Sequence, residues 1–509
     1  MFQLQFEGDN LKNRRSSGVL LPLSSVNGNY AVGVMGKEAE EFILKLRRMG
    51  FSYWQVLPLG TTDEMNSPYC SCSAFAGNYI YIDPEKLLET GLVTRDEVNE
   101  NLYGGSVYTA DYSYAREKRL LLLKKAFSRL SPEQKSEISD FAEKNEFCNG
   151  FSYYSVLKDK HSLDPWWKWE DEYKYFEKAI KHRDEFKEEI QFYNFTQYEF
   201  FRQWNMLKAF ANENGISILG DMPIYVSLDS ADVWCNTKLF KLNKETLKPE
   251  KVAGVPPDYF SENGQLWGNP IYDWDEMEKD GYSWWVKRIS SALKMYDTVR
   301  IDHFRAFASY WEIDADSETA KNGEWKNGPG MKLFSKIKDE IPNPSIVAED
   351  LGTFGEDVIK LLDETGFPGM KVIQFGFDPY GDSTHLPHHY DKNCVAYIGT
   401  HDNNTLLGWL YDATEDERKF ALDYCGFKGD NWGDGGYGSM SCRSVIETVW
   451  RSNANLSMVA FQDMCGFGND ARMNKPGIAE RNWLYRAGKD AVENVDEKYF
   501  LHINRVFRR

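Results

Sequence analysis

Val299-Arg-Ile-Asp-His303 is a short β-rich run that ends directly in a carboxylate. Three other runs end the same way: Leu219-Gly-Asp221, Ile346-Val-Ala-Glu-Asp350 and Ile398-Gly-Thr-His-Asp402. Working outward, eight strand-like runs occur, at 18–23, 53–57, 216–220, 298–301, 346–348, 372–375, 395–398 and 458–461. Helical patterns lie between several of them. Ala39, Phe42, Ile43 and Leu46 repeat at helical spacing before Gly50, and Val358, Leu361 and Leu362 precede Gly366. Strand–helix alternation gives a parallel sheet, and eight units predict an α/β fold, a closed (β/α)8 TIM barrel. An open doubly wound sheet is the alternative, but no G-x-G-x-x-G follows the first run.

The spacing is uneven. At ~150 residues per domain, 509 residues would suggest about three domains, yet barrels with insertions often exceed 400 residues as one. The expectation is a single catalytic barrel over 1–509 with large helical and loop insertions on its C-terminal face. One insertion covers about 60–210 after the second strand, and another about 227–290 after the third. The first holds amphipathic helices such as 116–130 and an aromatic cluster, Trp166, Trp167 and Trp169. The second contains Gly254-Val-Pro-Pro-Asp-Tyr-Phe260 and Gly264-Gln-Leu-Trp-Gly-Asn-Pro270. Gly and Pro at that density predict an irregular, functional loop.

Sixty basic and 78 acidic residues leave a net charge of −18, the wrong sign for non-specific nucleic-acid binding. No apolar signal region or membrane-spanning run is visible, so a cytoplasmic protein is expected. Its eight scattered cysteines are expected as reduced thiols. Aromatics make up 15% of the chain; they fill a large core or present faces on which sugars stack. His385-x-x-His-His389 resembles a metal cluster, but it lies in a proline-containing loop without paired ligands and is not read as a metal site.

In an eight-stranded barrel the C-terminal strand ends form the active site. Four acids converging there repel one another and cost stability, which points to chemistry. Their plain alternative is helix N-capping. Arg300 and Asp302, two apart on a strand, share a face. A guanidinium there lowers a carboxylate pKa by roughly one to three units and keeps a nucleophile ionised. A buried salt bridge is the structural alternative. Two carboxylates flanking one bond are the parts needed for glycosidic cleavage. Glu349, beside apolar Ala348, is the better acid candidate, although charge alone does not separate it from Asp350. His303 and His401 each adjoin a strand-end Asp and suit hydrogen bonds to sugar hydroxyls.

At these residues the chain resembles the amylomaltases, 4-α-glucanotransferases of glycoside hydrolase family 77 in the α-amylase superfamily. The resemblance runs from about Ser17 to Arg486. It rests on Tyr53-Trp-Gln-Val-Leu-Pro-Leu-Gly60, Ser73-Ala-Phe-Ala-Gly-Asn78, Gly220-Asp-Met-Pro-Ile-Tyr-Val226 and Pro256-Pro-Asp-Tyr-Phe260. It rests also on Gly264 to Pro270, Arg300-Ile-Asp-His303, Glu349-Asp-Leu-Gly352, His401-Asp-Asn403 and Ala471-Arg-Met-Asn-Lys-Pro-Gly477.

The resemblance implies retaining transfer of a glucan segment to a 4-hydroxyl through a covalent β-glucosyl intermediate. Maltooligosaccharides and α-1,4-glucans would be donors and acceptors, with glucose a further acceptor and no cofactor or metal required. Asp302 would be the nucleophile, Glu349 the acid and then base, and Asp402 the transition-state stabiliser. Asp221, Tyr225, Arg300, His303 and His401 would line the donor subsite, Tyr69 and Trp267 would bind sugar, and Tyr259 and Phe260 would cover the cleft. Departures occur at Gly33-Val-Met-Gly36, Cys70-Ser-Cys72 and Tyr79, which bear on substrate length rather than chemistry. A retaining α-glucan hydrolase and a non-catalytic glycan-binding barrel are the rival readings.

Overall fold

The computed structural model describes residues 15–257, 261–352, 355–478 and 480–509. Its strands are β1 (Ser16–Leu20), β2 (Tyr53–Gln55), β3 (Ser217–Met222), β4 (Lys251–Val255), β5 (Gln265–Pro270) and β6 (Thr298–Ile301). They continue with β7 (Ser309–Asp314), β8 (Gly323–Asn327), β9 (Ile346–Ala348), β10 (Gly369–Val372), β11 (Cys394–Tyr397) and β12 (Leu456–Ala460). Eight parallel strands form one sheet in the order β10-β11-β12-β1-β2-β3-β6-β9. Each barrel strand thus lies beside its neighbours along the chain, as right-handed crossovers require. Between β9 and β10 the barrel is joined by the Ala348 N–H, which donates to the Pro368 carbonyl at 2.9 Å.

Alternation along the strands separates two apolar layers. Tyr53, Leu219, Val347, Met370, Val372, Val395, Tyr397, Leu456 and Met458 fill the lumen. The Tyr397 hydroxyl, buried among them, donates to Gln55 Oε1 at 2.9 Å. On β3, Leu219 and Asp221 point in and Gly220 points out. A Cβ on Gly220 would lie 2.1 Å from the Tyr296 ring, so only glycine admits that packing. The helix Lys37–Arg48 buries Ala39, Phe42, Ile43 and Leu46 as its spacing predicts. Gly366, at φ 66°, caps Glu356–Thr365 in the left-handed conformation.

The excursion from β2 to β3 ends in the long helix Lys187–Glu213. Two of its buried amides hold the loop at the barrel mouth. Gln197 Oε1 accepts from Gly77 N at 2.8 Å, and Gln203 Oε1 accepts from Asp83 N at 2.7 Å.

Three expectations need correction. The sixth barrel strand is Gly369–Val372, not 372–375: the ladder starts directly after Pro368, and Ile373–Gly376 already turns as a 3-10 helix. The last strand begins at Leu456, and Phe461 opens a short helix. The Gly- and Pro-rich connection after β3 is not irregular. It supplies β4 and β5 to a second, antiparallel sheet, β5-β4-β7-β8. Its glycines serve packing: a Cβ on Gly254 would lie 2.3 Å from the Gln265 carbonyl oxygen across the pair. Pro256 and Pro257 follow the end of β4, where no ladder donor is lost. Two strands of this sheet, β7 and β8, come from an excursion after β6 that the periodicity does not reveal. Among the described residues no helix is long and apolar enough to cross a membrane. All eight cysteines are free thiols.

Candidate active site

Ile301 and Ala348 are register partners on β6 and β9. Asp302 and Glu349 therefore leave adjacent strands one residue past the same rung, and such strands lie about 4.8 Å apart. Both backbones remain tied to the barrel: Asp302 N donates to Met222 O and Glu349 N to Ile301 O, each at 3.0 Å. Arg300 is the register partner of Asp221. Its Nη1 donates to Asp221 Oδ1 at 2.8 Å and Oδ2 at 2.7 Å, and its Nη2 to Asp302 Oδ1 at 2.8 Å. One guanidinium thus locks two strand-end carboxylates, on the face that the sequence spacing assigns.

The structure brings together the predicted residues that it describes, with one change of place. Tyr69, Tyr225, Trp267, Arg300, Asp302, His303, Glu349, His401 and Asp402 all line one cleft of about 530 Å³. That volume suits a small-molecule site. Asp221 is not on its wall: its side chain has 0% exposure and sits behind Arg300. There it also accepts from the Tyr69 hydroxyl at 2.8 Å. That hydroxyl lies 2.9 Å from His401 Nε2, with the two rings stacked at 5.2 Å. Trp267 meets the His303 ring edge-on at 4.8 Å and Tyr225 at 6.2 Å. Tyr259 and Phe260 lie outside the described residues.

Glu349 is held at both oxygens. Oε1 accepts from Leu351 N at 2.7 Å and Oε2 from His303 N at 2.8 Å. His303 supplies that donor from a left-handed turn, φ 51°, a strained conformation for a non-glycine residue that clusters at functional sites. Its own Nε2 is buried without a hydrogen-bond partner among the described residues. Burial, reinforced by the Arg305 charge, pushes the His303 imidazole down to about 3, so the ring is neutral.

Burial also dominates the carboxyls. It pushes Glu349 up to about 8; Arg300 opposes this and the Asp302 charge adds to it. Asp302 is likewise raised above the usual carboxylate range by burial, against the pull of Arg300 and with the charges of Asp221 and Asp402. The guanidinium acts in the direction that the sequence suggests, but desolvation outweighs it. Asp350 turns away and accepts from Met370 N at 2.6 Å. Geometry thus separates Glu349 from Asp350 where charge does not.

Several residues in or behind the cleft wall carried no sequence signal as site residues. Asn474 Nδ2 donates to Asp402 Oδ1, and Arg472 Nη2 to the Asp402 carbonyl, each at 2.6 Å. They belong to the 471–477 segment, whose neutral amide gives no hint of a role by itself. Trp325, on β8, reaches the cleft from the second sheet, and Trp483 packs 5.7 Å from the Tyr69 ring. The site is a pair of adjacent carboxyls, one holding its proton near neutrality, with aromatic walls. Such a site is equipped to cleave and re-form an acetal bond.

A family model described as 4-alpha-glucanotransferase matches residues 21–490. A 4-alpha-glucanotransferase of Clostridium butyricum is 43% identical over 496 residues, covering 96% of this chain and 99% of the relative. That of Thermus thermophilus is 42% identical over 488 residues, covering 93% and 94%. Among solved structures, the amylomaltase from Streptococcus agalactiae in complex with acarbose has a TM-score of 0.92 at 37% identity. It covers 97% of this chain and 100% of that one.

Proposed function

The chain belongs to the 4-α-glucanotransferase family, and on that premise we propose that Asp302, Glu349 and Asp402 divide a retaining transfer between them. Glu349, protonated, gives its proton to the glycosidic oxygen of an α-1,4-glucan. The bond from that oxygen to the anomeric carbon breaks as Asp302 Oδ attacks the carbon from the opposite side. The leaving glucan departs with the proton, and the retained segment is bound to Asp302 as a β-ester. An acceptor 4-hydroxyl then enters. Glu349, now a carboxylate, removes its proton as the oxygen bonds the anomeric carbon and Asp302 leaves. Two inversions give net retention.

Asp402, oriented by Asn474 and Arg472, faces the ring that becomes oxocarbenium-like. Tyr69, Tyr225, Trp267, His303 and His401 supply stacking faces and hydrogen bonds to the sugar. Asp221 works through Arg300 rather than on the sugar. Maltooligosaccharides are the donors, and glucose or a second oligosaccharide the acceptor. The cytoplasm, where thiols stay reduced, suits the eight unpaired cysteines. The observation that carries this reading is the register of Asp302 with Glu349 together with the raised Glu349 carboxyl.

A hydrolase would share all three carboxylates and differ in admitting water. Aromatic walls that hold a sugar hydroxyl at the intermediate favour transfer. Incubation with maltotriose alone, without added metal, decides between them. Glucose plus a ladder of longer maltooligosaccharides is expected, at constant total reducing ends. Glucose and maltose alone, with reducing ends rising in step, contradict transfer.

A further inference from the structure

We propose that Asp382, His388 and His389 form a binding site for a borderline divalent transition-metal ion, Zn2+ foremost, outside the catalytic cleft. Sequence spacing puts three histidines together at 385, 388 and 389; the fold keeps His388 and His389 together, with rings 4.1 Å apart, and removes His385. His385 turns inward: its Nδ1 accepts from Val372 N at 3.1 Å and its ring meets Phe375 at 5.6 Å. Asp382 takes its place. One ligand atom from each of Asp382, His388 and His389 lies within 4.8 Å of the other two. His389 Nε2 is 2.7 Å and His388 Nε2 3.8 Å from Asp382 Oδ1. Tetrahedral Zn2+, with bonds of about 2.0–2.1 Å, sets neighbouring donors roughly 3.3 Å apart, between those two separations.

The outer contacts suit a ligand set. His388 Nδ1 lies 2.8 Å from the Tyr424 hydroxyl. An Nδ1–H donated there leaves the Nε2 lone pair facing Asp382, the usual outer-contact device for a metal-bound imidazole. The loop is pre-shaped: Asp378 Oδ1 accepts from Tyr380 N at 2.9 Å, and His388 and His389 sit on the tight turn Pro387–His389. Two neutral imidazoles and one carboxylate favour Zn2+, Cu2+ or Ni2+ over Ca2+ or Mg2+, which prefer oxygen donors. All three residues are exposed, so an ion reaches them without disturbing the core. A bound ion would clamp Asp382 to the Pro387–His389 turn. The same loop holds His385 against Phe375, a residue of the cleft wall.

Calorimetric titration of chelator-treated protein with Zn2+ tests the site, with Co2+ absorption as a second readout. One equivalent should bind with a Kd of about 10 µM or tighter, and Co2+ should develop visible bands. His388→Gln and His389→Gln should each weaken Zn2+ binding at least about tenfold and abolish the Co2+ bands. His182→Gln, at a half-buried histidine paired with Glu185 elsewhere, should change neither. Circular dichroism and turnover of maltotriose report that the variants are folded. Only weak multi-site binding, affinity that survives both substitutions, or an equal loss in His182→Gln would overturn the proposal.

Discussion

Replacing Asp302 with Asn lowers transfer from maltotriose by at least about ten-thousandfold while maltotriose still binds. The amide has the shape of the carboxylate, and its oxygen can still accept from Arg300 Nη2, which donates at 2.8 Å in the native protein. Arg300 also keeps Asp221, so no buried charge is left unpaired. What disappears is the anionic oxygen that attacks the anomeric carbon. Glucose release and a binding titration on one preparation check the separation of turnover from affinity. Near-native turnover in verified Asp302→Asn protein removes this residue from the chemistry.

Glu349→Gln carries the second large effect, and it has two parts. Loss of the acid and base costs about a hundredfold to ten-thousandfold in turnover of maltotriose. A donor whose leaving group needs no proton, such as an α-glucosyl fluoride, should still enter the first step. In the native enzyme, activity should fall as pH rises through the value near 8 to which burial pushes Glu349.

The second part concerns stability. A folded-state pKa raised above the unfolded value means that the folded protein binds more protons between about pH 4.5 and 8. The contribution of this group is therefore fully present at acid pH and is lost as pH rises through its folded value. Gln does not titrate. The stability of Glu349→Gln relative to native should thus climb across that window, by roughly 5 kcal/mol at most, and level off above it. Melting curves at pH 5, 7 and 9 measure this difference. A gap independent of pH contradicts the raised carboxyl.

How much was legible in the sequence follows from what is local. An apolar run that ends in Asp or Glu is a local pattern, and the barrel and its strand-end acids could be read from it. The shared face of Arg300 and Asp302 is equally local, because it depends only on the two-residue period of a strand. The place of Asp221 is not. It depends on the register of β3 with β6, which pairs Asp221 with Arg300 across 79 residues. The raised Asp302 carboxyl is non-local too, since desolvation comes from every chain segment around the cleft. Glycine and proline misled between β4 and β5, because the same residues that open loops also permit close strand approach. Asn474 carries no charge, so its hold on Asp402 emerges only when both are placed. The histidine spacing suggested a triple that the fold breaks, drawing Asp382 in from another part of the loop.

The covalent intermediate itself is the most direct test. Glu349→Gln is mixed with an α-maltosyl fluoride, quenched in acid and digested for mass spectrometry. In this variant the fluoride leaves unaided, but no base remains to activate the acceptor, so the ester should accumulate. The expected result is one maltosyl unit on the peptide that carries Asp302, with fragmentation placing it on that side chain. A label on another residue, or no label while products of inverted anomeric configuration form, would contradict the double-displacement mechanism.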